Sequence, residues 1–259
     1  MSISADRGIL SLGLAQSDPR LFAKKAKSRP NREQEGGGRR MTDQTAVQTT
    51  LPKIGDKAPY FEAMTTHGKK TLDDYKGKWL ILFSHPADFT PVCTTEFMAF
   101  QEIYPELRKR NVELLGLSVD SVYSHIAWVR NIKERTGVQI EFPVIADLDM
   151  KVAHAYGMIM PQQSSTEAVR AVFFIDPEQV IRAIIYYPMS AGRNMDEILR
   201  LIDSLQTTDK YGTPTPANWR PGQAVIVPPP KTVEDAEKRV QEKDLEIVDW
   251  YLSKKNVNA

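Results

Sequence analysis

The amino-acid sequence predicts an α/β fold: a mixed central sheet with helices on both faces, followed by a small C-terminal domain. Two continuous apolar runs, at residues 78–84 and 112–119, are typical of strands buried on both sides of a sheet. Segments with apolar side chains at helical spacing follow them, at residues 96–110 and 124–135. A hairpin and one more helix are predicted to complete the main domain.

The first helix is predicted over residues 96–110, where apolar side chains recur every three or four positions: Phe97, Phe100, Ile103, Tyr104 and Leu107. Pro105 lies within this run. Because proline lacks the N–H that a helix needs, we expect it to kink the helix or to end its first part. In the second helix, the predicted buried face consists of Ile126, Val129 and Ile132/Lys133.

The second half of the main domain begins with a short predicted strand at residues 142–145. Two apolar runs, at residues 169–175 and 180–186, flank Asp176-Pro-Glu-Gln179, which predicts a hairpin turn. Asn194 can cap the next helix, since Glu197 follows three residues later. The buried face of that helix is predicted to carry Ile198, Leu201, Ile202 and Leu205.

The residues before the main domain are predicted to be disordered. Residues 24–40 are basic and Gly-rich, with little apolar surface to bury, so we assign residues 1–50 to a disordered N-terminal extension. Met41 follows directly. Three explanations stay open: a start codon placed too early, an organelle transit peptide, or a solvated tail.

A change of composition near Thr213 marks the end of the main domain, which we place at residues 51–214. Prolines exclude a regular helix or central strand at residues 213–221 and 227–230. A short capped helix is predicted at residues 232–240. We assign residues 215–259 to a C-terminal domain too small to fold alone, which should pack on the main domain or on a partner subunit.

Composition and charge exclude several classes of function. Lys+Arg number 34 and Asp+Glu 33, so no overall field recruits nucleic acid or an anionic membrane. No apolar run approaches the roughly 20 residues that span a bilayer. The single cysteine excludes an internal disulfide framework and a multi-cysteine zinc site, and it favours a reducing, cytoplasmic compartment.

Cys93 lies at the start of the first helix, in His85-Pro-Ala-Asp-Phe-Thr-Pro-Val-Cys-Thr-Thr-Glu-Phe97. A free cysteine is often only a small buried apolar residue. Here, however, a helix N-terminus favours a thiolate. Pro86 and Pro91 also stiffen the chain segment that leads to Cys93, so the sulfur is held in one place. Thr90, three residues earlier, could donate to the sulfur and orient a bound oxygen. A helix end supplies only about 0.3–1 kcal/mol, so we expect a nearby arginine, which spacing alone does not identify.

Pro86-x-x-x-Thr90-x-x-Cys93 resembles the active-site motif of the peroxiredoxins, which are thiol peroxidases on a thioredoxin-like fold. The string HPADFTPVCTTE is similar to the branch with a long C-terminal extension, including one-cysteine enzymes of the peroxiredoxin 6 type. The likeness runs from about Leu51 to Trp250. It includes GLSVD at 116–120, FPVIAD at 142–147, Arg170, YPMSAGRN at 187–194 and PANW at 216–219.

The resemblance implies a reaction without a cofactor. The Cys93 thiolate would attack hydrogen peroxide or an organic hydroperoxide and become a sulfenic acid. Pro86 would shield the sulfur, and Thr90 would hydrogen-bond the thiolate and the peroxide. Arg170 would bind substrate and stabilise the thiolate, and Glu96 would orient that arginine through an ion pair.

Arg193 would join the same network, and His85 borders the site. Each assignment has an alternative: Thr90 could simply end the loop, Glu96 could be an ordinary acidic residue of a helix's first turn, and both arginines could be surface charges. His85 could orient peroxide, titrate near neutral pH or merely pack. The other histidines show no ligand spacing with the cysteine, so no metal site is predicted.

The sequence departs from many relatives by lacking a further cysteine near its C-terminus. Ser253 stands where some relatives have cysteine, and it is either natural or an engineered replacement. No resolving thiol exists within the subunit, so a thioredoxin- or glutathione-type thiol would have to reduce the sulfenic acid. A Gly-x-Ser-x-Gly elbow, which accompanies lipase-like activity in some relatives, is absent from the sequence.

The resemblance further implies a homodimer that assembles into a decamer. An oligomeric holdase chaperone is the main alternative function, and it would require exposed apolar surface in the assembled form. A thioredoxin-like disulfide oxidoreductase is disfavoured, because the sequence has no Cys-x-x-Cys.

Overall fold

A computed structural model describes residues 51–257, so the predicted disordered extension at residues 1–50 lies outside the described residues. The strands are β1 (Glu62–Thr65), β2 (Gly68–Thr71), β3 (Trp79–Ser84), β4 (Val112–Ser118), β5 (Val144–Ala146), β6 (Arg170–Ile175), β7 (Ile181–Tyr187), β8 (Val225–Val227), β9 (Glu246–Asp249) and β10 (Leu252–Lys255). The helices are α1 (Pro91–Lys109), α2 (Val122–Thr136), α3 (Lys151–Ala155), α4 (Met195–Tyr211) and α5 (Val233–Arg239), with one 3₁₀ turn at Leu72–Tyr75.

The first seven strands form one mixed sheet in the order β2-β1-β5-β4-β3-β6-β7. β3 pairs in parallel with β4, and β4 with β5. β6 inserts beside β3 in the antiparallel direction and continues through the predicted hairpin into β7. The predicted mixed sheet is therefore confirmed, and β3 and β4 are both interior strands.

Helices and loops bury both faces of this sheet. Along β3, Ile81 and Phe83 face one apolar cluster with α1, α2 and α4. Leu80 and Leu82 face a second cluster, which contains residues of α3. This alternation into two cores explains why β3 is a continuous apolar run.

Helix α1 begins five residues before the predicted start, which places Cys93 within its first turn. The helix also continues past Pro105 to Lys109, so the expectation that Pro105 ends its first part was wrong. The flanking residues Tyr104 and Leu107 are buried. Their burial outweighs the missing hydrogen bond of the proline, a loss of about 3 kcal/mol.

The predicted buried face of α2 is confirmed at Ile132 but was wrong at Ile126. The buried residues are His125, Trp128 and Ile132, whereas Ile126 is 41% exposed. The shift places a histidine rather than an isoleucine in the interior, where polar partners satisfy it. The cap of α4 follows the prediction, since the Asn194 side chain accepts from the backbone N–H groups of Asp196 and Glu197.

A second, three-stranded antiparallel sheet, β8-β10-β9, lies in the C-terminal segment. Helix α5 agrees with the predicted short capped helix, and Thr232 caps it by accepting from the Asp235 N–H. The three-stranded sheet has no counterpart among the predicted elements. Ser253 is fully buried in the central strand, β10. Within residues 51–257, no helix combines the length and apolar character needed to cross a membrane.

Candidate active site

The sulfur of Cys93 is fully buried at the N-terminal end of α1. Thr90 is the N-cap residue in an extended conformation, and Pro91 occupies the first helical position, where a missing N–H leaves no bond unmade. The first turn of the helix therefore surrounds the thiol with the positive end of the helix dipole, which favours a thiolate.

Arg170 supplies the cation that the sequence analysis expected near the sulfur. Its Nη1 lies 3.3 Å from Cys93 Sγ and 2.6 Å from Glu96 Oε2. Its Nε donates to the Met189 carbonyl at 3.0 Å. With three directions fixed and only 3% of the residue exposed, the guanidinium is held against the sulfur.

Glu96 joins Arg170 to a second buried arginine, Arg193. Oε2 of Glu96 accepts from Arg193 Nη2 at 2.6 Å, and Oε1 accepts from the Arg193 backbone N–H and Nε at 2.9 Å each. Burial lowers the pKa of Arg193, although the Glu96 charge opposes this shift. Neither arginine is the surface charge that the alternative reading allowed.

Strand direction explains how residues 77 positions apart in sequence meet. β3 ends at Ser84, just before the loop to Cys93, and β6 begins at Arg170. Because β6 runs antiparallel to β3, its first residue lies beside the last residues of β3. Ser84 Oγ fixes this junction, since it donates to the Val169 carbonyl and accepts from the Ala171 N–H.

The loop between β3 and α1 carries the other predicted site residues. Pro86 is buried and Thr90 is half-buried. The Thr90 hydroxyl donates to the Ala87 carbonyl at 2.9 Å, within the loop, rather than to the sulfur. Its predicted bonds to thiolate and peroxide remain predictions, and they require the hydroxyl to turn when substrate binds.

His85 is completely buried, and its ring packs near Phe97 and Trp128. Its Nε2 lies 3.0 Å from Asp88 Oδ1. Burial lowers the pKa of His85, although the hydrogen bond and charge of Asp88 oppose this shift. These facts favour the packing alternative over titration near neutral pH, and a contact with peroxide stays a prediction.

Sequence reasoning missed two residues beside His85: Asp88 and His125. Together the three place ligand-type atoms within 4.8 Å of one another. The grouping joins residues 37 positions apart, and no ligand spacing in the sequence indicates it. The only sequence signal was His125 three residues before Trp128, on one face of a helix.

A mixed sheet with a buried cysteine at a helix N-terminus, in contact with an arginine, defines a class of enzymes that use a cysteine thiolate as nucleophile. Comparison with family models identifies the family. Residues 54–184 match the AhpC/TSA family, and residues 204–243 match the C-terminal domain of 1-Cys peroxiredoxin. The chain belongs to the peroxiredoxins, and it is a thiol peroxidase with a single cysteine.

Relatives and solved structures agree with this assignment. A peroxiredoxin of Aquifex aeolicus is 58% identical over 219 residues, which cover 80% of this chain and 98% of the relative. A peroxiredoxin of Thermotoga maritima is 56% identical over 82% of this chain and the whole relative. The structure of a yeast mitochondrial 1-Cys peroxiredoxin is 43% identical, with a TM-score of 0.70, over 80% of this chain and 100% of that one.

The structure of a cysteine-to-serine mutant of peroxiredoxin 6 from Arenicola marina also has a TM-score of 0.70, at 37% identity over 79% of this chain and 97% of that one. These likenesses confirm the thioredoxin-like fold that the sequence motifs implied. They also confirm that the chain belongs to the thiol peroxidase class of enzymes.

Proposed function

We propose that this enzyme reduces hydrogen peroxide and organic hydroperoxides at Cys93. The thiolate attacks the terminal peroxide oxygen, so an S–O bond forms while the O–O bond breaks. The sulfur loses two electrons and becomes a sulfenic acid. The departing oxygen gains them, takes up a proton and leaves as water or an alcohol.

The observation that carries this proposal is the 3.3 Å contact between Arg170 Nη1 and Cys93 Sγ. A fixed cation in a buried site stabilises the thiolate and the negative charge that moves onto the peroxide oxygens. Glu96 keeps the guanidinium in place, and Arg193 provides further positive charge beside that carboxylate. Glu96 and Arg193 therefore support Arg170 without touching substrate.

Pro86 and Thr90 complete the proposed site from the loop side. Buried Pro86 keeps water from the sulfur, and the Thr90 hydroxyl binds the attacked peroxide once it leaves the Ala87 carbonyl. His85 borders this space and shapes it. Because these groups are held close to the reacting sulfur, the entropic part of the activation barrier is lower than for a thiol in an unstructured chain.

An external thiol of the thioredoxin or glutathione type closes the cycle. Two thiols reduce the sulfenic acid, so a disulfide of the reductant and water are released. Cys93 is the only cysteine in the sequence, so a second thiol within the subunit does not contribute. The yeast mitochondrial neighbour is described as resolved through glutathione and thioredoxin systems. This need for a reduced thiol pool favours action in the cytoplasm.

Stopped-flow mixing of the reduced protein with hydrogen peroxide, followed by mass spectrometry of Cys93, tests the proposal. We expect a rate far above that of a free thiol, ending in sulfenic and then sulfinic acid. Reduction by glutathione and by thioredoxin, each supplied separately, identifies the reductant. A rate no greater than that of free cysteine would refute the proposed activation of the sulfur.

We further propose a homodimer that assembles into a decamer. Two surfaces support assembly. β7 is an edge strand of the seven-stranded sheet, where Gly55 and Asp56 bond to its first residue, Ile181, and the sheet does not continue beyond it among the described residues. An apolar groove of about 500 Å³ includes Phe89, Tyr123 and Ile126. Tyr123 is 80% exposed and Phe89 57%. The role of the groove can be tested by comparing the molar mass of Tyr123→Glu with that of the wild type by light scattering. The variant should form smaller assemblies, because it places a charge in the apolar groove.

The proposed domain division keeps residues 51–214 as the peroxidase domain and residues 215–259 as the C-terminal arm. A contact that supports close packing of the two is the 2.6 Å approach of Ser204 Oγ in α4 to Thr215 Oγ1. The indole of Trp219 is also buried. Truncation after residue 214 should therefore expose part of α4 and lower the free energy of unfolding.

A further inference from the structure

His85, Asp88 and His125 form a buried polar cluster behind the active-site loop. His125 and His85 are fully buried, and the Asp88 side chain is 1% exposed. Nδ1 of His125 lies 2.8 Å and 3.0 Å from the two oxygens of Asp88. Nε2 of His85 lies 3.0 Å from one of the same oxygens. Burying polar groups costs free energy unless they are hydrogen-bonded, so each proton of the cluster should lie between a donor and an acceptor.

The hydrogen-bond partners determine where those protons are. Nε2 of His125 lies 3.0 Å from the Ile145 carbonyl, which can only accept, so this nitrogen carries a proton. Nδ1 faces the two oxygens of the Asp88 carboxylate, which also accept, so His125 donates from both sides of its ring. Burial alone would raise the pKa of Asp88, but the hydrogen bonds from His125 and His85 outweigh it and hold that pKa well below its usual value.

This hydrogen-bonded cluster anchors the loop that frames Cys93. Asp88 lies midway between Pro86 and Thr90, and its carboxylate bonds the loop to α2 through His125 and to the end of β3 through His85. Its backbone N–H donates to Asp120 at 3.1 Å. The three bonds point in different directions, so they fix the position of the loop backbone.

We propose that His125 is a positioning residue of the peroxidase reaction: through Asp88 it holds the loop that places Pro86 and Thr90 over the sulfur. This inference rests on the function proposed above for those two residues. His125 touches neither substrate nor sulfur in this role. Its effect should appear in the reaction with peroxide and not in the reactivity of the thiolate itself.

A matched pair of substitutions separates positioning from packing. In His125→Asn the amide nitrogen can take the place of Nδ1 and still donate to Asp88, but the bond to Ile145 is lost. In His125→Gln the amide nitrogen reaches the place of Nε2. The Ile145 carbonyl therefore keeps its donor, whereas Asp88 loses the donor from position 125 and keeps only His85. His154→Asn, at an exposed histidine of α3, is the control.

We expect His125→Gln to slow the reaction of the full-length protein with hydrogen peroxide by about 10²-fold, since small misplacements of reacting groups have effects of that size. His125→Asn should be slowed less. Alkylation of Cys93 by iodoacetamide, which needs the thiolate but not the loop, should not slow in either variant. If circular dichroism shows His125→Gln unfolded, Asp88→Asn carries the same expectation.

Three results would overturn the inference: His125→Asn slower than His125→Gln, equal losses in peroxide reaction and alkylation, or a wild-type rate for His125→Gln. A stoichiometric divalent metal in the purified wild-type protein, lost in His125→Gln, would also overturn it, because Nδ1 would then be a metal ligand. If the wild type itself reacts no faster than free cysteine, the proposed function fails, whatever the variants do.

Discussion

Replacing Arg170 by methionine should remove most of the activation of Cys93 while leaving the fold intact. At 3.3 Å, a full charge on each partner interacts by about 5 kcal/mol at the effective dielectric constant of about 20 that suits protein sites. In the variant, relaxation of the surrounding groups and the helix dipole should compensate for part of this lost stabilisation of the thiolate. We therefore expect a loss of at least about 2.7 kcal/mol, or about 10²-fold in rate.

The fold should survive because Glu96 keeps its bonds to Arg193, including two of 2.9 Å and one of 2.6 Å. The assay is stopped-flow reaction with hydrogen peroxide, paired with urea unfolding. Arg182→Met is the matched control, since Arg182 lies on β7 and pairs with Asp209. A rate for Arg170→Met within about threefold of that control would refute the argument that this guanidinium activates the sulfur.

Three further predictions concern stability. Glu96→Gln leaves two buried guanidinium groups without their anion, so urea unfolding should show a loss of about 3–5 kcal/mol, and a loss below about 1 kcal/mol would contradict it. Burial, together with the hydrogen bond to Glu113, raises the pKa of Tyr104 to about 12, so its contribution is present below about pH 10 and lost as pH rises to about 12. Between about pH 10 and 12 the free energy of unfolding of Tyr104→Phe should fall by about 1–2 kcal/mol less than that of the wild type, once solvent screening is allowed for. Parallel plots of unfolding free energy against pH for the two proteins would refute this. A Cβ at Gly116 would meet the Phe83 ring at 3.3 Å, so Gly116→Ala should lower the free energy of unfolding by about 1–3 kcal/mol, and a gain in stability would show that the ring moves freely.

Periodicity and local motifs predicted the parts of the fold that depend on near neighbours in sequence. The apolar run of β3, the hairpin between β6 and β7, and the Asn194 cap were all readable, because burial and capping impose a fixed pattern on a few adjacent residues. The hairpin of β1 and β2 was missed, since β2 consists of Gly68-Lys-Lys-Thr71 at a sheet edge and has no apolar run.

The site divides in the same way. Cys93 and its loop were readable from one motif, and Arg170 came from the resemblance to a family. The energetics of the thiolate indicated a nearby cation, but spacing did not identify it, because the position of Arg170 depends on the direction of β6. Asp88 and His125 could not be predicted for a similar reason: their contact depends on how α2 is rotated on the sheet, and that rotation buries His125 instead of the predicted Ile126.

The antiparallel entry of β6 beside β3 has a consequence for the newly made chain. Everything up to residue 169, including the cysteine and its helix, can be synthesised before Arg170 emerges. Until β6 docks between β3 and β7, Cys93 has no guanidinium of Arg170 beside it and is an ordinary thiol. The long sequence separation makes this docking a late, non-local step of folding. The activation of the sulfur by Arg170 is therefore gained only once the whole sheet has assembled.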